Sequence, residues 1–60
     1  MDDADLVRAV AADYVYQQGR RAVLYLRDQE KIAANQGDAL SAEAWRDIAE
    51  AAASILLKSN

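Results

Sequence analysis

Taken at about 100° per residue, the apolar positions of this chain fall into helical stripes. The clearest is the last. Trp45, Ile48, Ala49, Ala52, Ile55 and Leu56 follow the i, i+3, i+4, i+7 spacing, with Glu43, Asp47, Glu50 and Ser54 on the opposite side. Ser41 is the predicted N-cap of this helix, Glu43 stands in its first turn, and Lys58 complements the negative end of its dipole. The predicted span is 41–57. Ahead of it, "ANQGDALS" reads as a loop in which Gly37 takes the left-handed position behind a helix and Asp38 turns or caps the chain.

An earlier stripe joins Val7, Val10, Ala11 and Tyr14, in a helix opening behind Asp2 or Asp3 with Asp5 in its first turn. After Gly19 comes another, through Ala22, Tyr25, Leu26, Ile32 and Ala33. Val7 and Tyr25 share one helical angle, as do Tyr14 and Ile32, so periodicity alone allows one long helix through Gly19. Two features favour a break. Gln17, Gln18, Arg20 and Arg21 leave a polar gap around the glycine. Glycine also costs a helix interior about 1 kcal/mol, yet fits the left-handed position at a helix end without strain. With no proline, two glycines and no alternating strand pattern, the expected fold is all-α. It is a small three-helix bundle over 4–18, 20–35 and 41–57, within a single domain spanning 1–60. The alternative is a long-helix hairpin that dimerises into a four-helix bundle.

The back of the 4–35 segment is not polar. Ala9, Ala12, Tyr16 and Val23 lie opposite the main stripe, with Leu24 beside them. A helix that is apolar on two sides needs two partners, so these five residues are the candidate contact surface.

Composition sharpens that reading. The 53% apolar content contains fourteen alanines, against six Leu, four Val and three Ile. A domain of this size buries only about 60% of its unfolded surface, and comparably small domains commonly rely on disulfides, metals or oligomerisation. Cysteine and histidine are both absent, which removes disulfides, thiolate zinc sites and the usual transition-metal ligands. No metal or other cofactor is therefore expected, and association with a second copy or another protein is what remains. No apolar run approaches the roughly 20 residues of a membrane span. The start, "MDDADLVRAV", is acidic where a secretory signal is basic, so a cytoplasmic protein is expected.

Candidate chemistry is sparse. General bases and nucleophiles are most often His, Cys or an activated Ser. Here Ser41, Ser54 and Ser59 read as a cap, an exposed position and a chain end. Glu43, Asp47 and Glu50 share one helix face, but a single face cannot surround an ion, so they read as solvated carboxylates. No enzymatic activity is expected. Arg20, Arg27 and Lys31 form a basic strip suited to phosphate or to an acidic partner. Interleaved Asp28 and Glu30, and a net charge of −3, disfavour nucleic acid. The strip complements Asp47 and Glu50, so these five charges are candidate pairs between chains.

The segments "QQGRRAVLYL" at 17–26, Gly37-Asp38 and "WRDIAEAA" at 45–52 resemble a group of small helical alphaproteobacterial proteins with no assigned activity. That group has a histidine before the first glycine and an acidic residue after it, where Gln18 and Arg20 stand here. The resemblance implies a turn at Gly19 and imports no site. The function expected is that of a non-catalytic, self-associating interaction module, most simply a homodimer. Two alternatives stay open: a small antitoxin-like regulator that binds a basic target protein, and a weak nucleic-acid binder acting through Arg20, Arg27 and Lys31.

Overall fold

The computed structural model describes residues 3–58 and forms a small three-helix bundle. Helix α1 is Asp3–Gln18, α2 is Arg21–Asn35 and α3 is Ala39–Lys58. Asp3 and Asp5 occupy the first turn of α1, where carboxylates favour the positive end of the helix dipole. The caps and ends placed at Asp2 and Ser59 lie outside the described residues.

Gly19 does break the helix. Its φ is 61°, and its N–H donates to the Val15 carbonyl at 2.8 Å, the single bond of a left-handed C-terminal cap. A Cβ built there would meet nothing within 4 Å, so the position selects glycine for its backbone angle and not for space. Arg20 is already helical, at φ −63° and ψ −24°, and caps α2 without a side-chain hydrogen bond. The Ala22 N–H donates to the Gly19 carbonyl at 3.1 Å, so the chain reverses within two residues. The long-helix hairpin is thereby replaced by the bundle.

The second corner is built differently. At Gly37, with φ 76°, the Asp38 N–H donates to the Ala33 carbonyl at 2.9 Å and the Gly37 N–H to the Ala34 carbonyl at 3.1 Å. This paired 6→1 and 5→2 arrangement is the Schellman motif. It delivers Asp38 directly to the start of α3. The Asp38 Oδ1 accepts the Ser41 N–H at 3.1 Å, while its carbonyl accepts the Ala42 N–H at 3.0 Å. Asp38 is therefore the N-cap, and the expectation for Ser41 is corrected. Ser41 sits in the first turn and supplies the donor that the cap satisfies.

Hydrogen bonds from the Ser41 side chain and backbone hold the Asp38 carboxyl below its ordinary value of 3.8. A carboxylate with a lowered folded-state pKa stabilises the fold above its unfolded pKa, and the contribution is lost as pH falls through the folded value. Thermal melts followed by circular dichroism should show this loss below about pH 4. Asp38→Asn, which caps without titrating, should flatten that part of the pH dependence. Asp38→Ala should lower the melting temperature at neutral pH as well.

Helix α3 leans on both other helices. Its contact with α2 is the most extensive, and that between α1 and α2 the least. The fully buried side chains are small: Ala11, Ala22, Ala49 and Ala52, with Leu26 the one large member among the described residues. Ala33 is nearly as enclosed. Alanine at these points lets the helix backbones approach closely, while the larger residues Tyr14, Val15, Val23, Trp45, Ile48 and Ile55 pack around them half-buried. The Tyr14 ring links all three helices, lying 5.5 Å from Tyr25 and 6.5 Å, edge-on, from Trp45. This is the core placement expected of Trp45. No described helix is long and apolar enough to cross a membrane.

Candidate functional site

Packing α1 through Val7, Ala11, Tyr14 and Val15 turns the opposite side of the helix outward. That side holds Ala9, Ala12 and Tyr16, all exposed, and the Tyr16 ring is 91% accessible. Asp5, Ala9, Ala12 and Tyr16 stand at i, i+4, i+7 and i+11, one continuous stripe along the helix, flanked by Leu6 and Asp13. An exposed tyrosine in an apolar setting combines a large contact area with a polar tip, which is why such residues concentrate at interfaces.

Helix α2 carries a second outward stripe of the same spacing: Arg20, Leu24, Arg27 and Lys31. All four are exposed, and Leu24 is 73% accessible with basic side chains on either side of it. Arg27 Nη1 donates to Glu30 Oε1 at 3.2 Å, an exposed pair. Such pairs contribute about 0.2–1 kcal/mol, so Arg27 remains available to a partner.

Val23 does not join this surface. It is half-buried against the core and borders a shallow apolar groove with Arg20, Ala53, Leu56 and Leu57. The reason is the corner at Gly19. On a continuous helix Val23 falls in line with Tyr16, but α2 starts in a new direction and swings Val23 toward α3.

Asp47 and Glu50 are exposed on α3, beside Asp3 and Arg8 at an open groove of about 550 Å³ between α1 and α3. No ion pair among the described residues joins them to Arg20, Arg27 or Lys31; the pairs present are Arg27–Glu30 and Arg46–Glu43.

Ser41 is engaged with Asp38, and Ser54 is half-buried on α3. Among the described residues no three metal-ligating side chains converge, and no buried side-chain polar atom is left without a partner. Three exposed apolar residues escape the sequence reading: Leu6 at 55%, Leu40 at 83% and Leu57 at 75%. Leu40 falls in the loop that the sequence predicts, yet its seven-residue spacing from Asp47 places it on the outer face of α3 once the helix starts at Ala39. Leu6 is similarly found by its offset from Ala9. No family model, curated protein or solved structure matches the chain.

Proposed function

We propose that this protein is a non-catalytic helical interaction module that self-associates through its outward apolar positions. The observation that carries the reading is Tyr16, 91% exposed on a stripe with Ala9 and Ala12, while among the described residues the interior holds one large, fully buried side chain. Leu6, Tyr16, Leu24, Leu40 and Leu57 are large apolar residues left exposed, and association removes such surface from water.

Sedimentation equilibrium over a wide concentration range, with circular dichroism on the same samples, tests the proposal. The wild type should dimerise. Tyr16→Ala should weaken dimerisation at least tenfold, equivalent to about 1.4 kcal/mol, while monomer helicity is unchanged. A wild-type chain that remains a folded monomer at every concentration overturns self-association. Unchanged affinity in Tyr16→Ala overturns the surface assigned to it.

A second reading rests on Asp47 and Glu50, exposed with Asp3 along the α1–α3 groove. Those carboxylates suit a basic protein target, as in a small inhibitory regulator. A monomeric wild type whose capture of a basic protein is lost in Asp47→Ala/Glu50→Ala, and kept in Tyr16→Ala, supports it over the first.

A further inference from the structure

The two outward stripes are opposite in charge, and from this we infer which faces meet: α1 of one copy lies against α2 of the second. This rests on the self-association proposed above. Helix α1 carries Asp3, Asp5 and Asp13 against Arg8, whereas α2 with its leading Arg20 carries Arg20, Arg21, Arg27 and Lys31 against Asp28 and Glu30. On their outer sides the segregation matters most. Asp5 heads the stripe of Ala9, Ala12 and Tyr16, with Asp13 beside it, and Arg20, Arg27 and Lys31 surround Leu24 and outnumber the exposed Asp28 one turn beyond it. Each stripe extends over the same eleven-residue interval, from Asp5 to Tyr16 and from Arg20 to Lys31, so their lengths match.

Charge decides among the pairings available to two copies. An α1–α1 seam sets Asp5 and Asp13 against their own counterparts, and an α2–α2 seam does the same to three basic residues. Like charges brought together in an interface oppose association and suppress that docking mode. An α1–α2 seam places carboxylates opposite guanidinium and ammonium groups, with Tyr16, Ala9 and Ala12 facing Leu24. A two-fold dimer makes this contact twice, because residue i of one copy meets j of the other and j meets i. The acidic partner of Arg20, Arg27 and Lys31 is then α1, and not Asp47 and Glu50.

Two charge-reversed full-length chains test the assignment by sedimentation equilibrium at low salt. Asp5→Lys/Asp13→Lys makes both stripes basic, and Arg20→Glu/Lys31→Glu makes both acidic. All four positions are exposed, so each variant should retain wild-type helicity wherever the wild-type monomer does. Each alone should dimerise at least tenfold more weakly than wild type. An equimolar mixture should recover dimerisation, since both α1–α2 contacts in the mixed pair again unite opposite charges. Recovery on mixing is a result that a misfolded variant does not give. Two outcomes overturn the assignment while leaving self-association intact: a wild-type dimer unaffected by the α1 reversal, or one whose affinity falls only on reversing Asp47 and Glu50. A mixture no tighter than its components overturns it too. A wild type that does not dimerise overturns the underlying proposal instead.

Discussion

Leu26→Ala should cost about 2–5 kcal/mol, enough to remove most of the stability of a chain this short. Domains typically hold roughly 0.05–0.15 kcal/mol per residue, and here a single large side chain is fully enclosed among the described residues. Its removal loses transfer energy and leaves a cavity bordered by Ala11, Ala49 and Ala52. Those three neighbours are methyl groups on helices, so refilling the space would require the half-buried side chains around them to move. Urea denaturation followed at 222 nm measures the effect. Leu24→Ala is the matched control, because it makes the same chemical change two residues away at a site 73% exposed. Its monomer stability should stay within about 0.5 kcal/mol of wild type, although its dimer should weaken. Equal losses at the two positions would mean that Leu26 does not hold the core.

Ala52→Leu is the opposite perturbation and should destabilise by about 1–3 kcal/mol, or more if the helices must separate. Ala52 is fully buried at the middle of the inner face of α3, in the cluster with Ala11, Leu26 and Ala49. Alanine and leucine have nearly equal helix propensity, so the loss reports packing and not the helix itself. Ala44→Leu, exposed on the same helix, should leave stability close to wild type. A stabilised Ala52→Leu would show that the interior is under-filled and that the alanines do not set the helix spacing.

The contrast between those two leucine substitutions explains what could be read in the sequence. Helix α3 is legible because Trp45, Ile48 and Ile55 mark its inner side with large residues and pack against the core, while Leu56 is half-buried at the edge of the groove. Its first turn was not legible. Asp38 and Ser41 are both good caps three residues apart, and the choice falls to Asp38 because the Gly37 motif places it there. The break at Gly19 was favoured but could not be derived from periodicity, since the stripes on either side stay in phase. What selects it is a backbone angle of 61°, which no hydrophobic pattern records. Val23 followed from the same cause: its place opposite the stripe held for an unbroken helix and not for one that turns. Ala9, Ala12, Tyr16 and Leu24 lie far enough around their helices to remain exposed in the bundle.

The in-phase stripes on either side of Gly19 have a consequence for assembly. Straightening that one corner turns α1 and α2 into a continuous rod whose apolar stripe, from Val7 to Ile32, still shares one side. A chain opened in this way can return its α1 to the α2–α3 pair of a neighbour and restore every internal contact across two molecules. Such domain exchange needs no new interface, only a hinge that unbends, and a hinge of two residues between helices is a short one to unbend. Whether α1 packs on its own chain or on another would then depend on the backbone angle at Gly19.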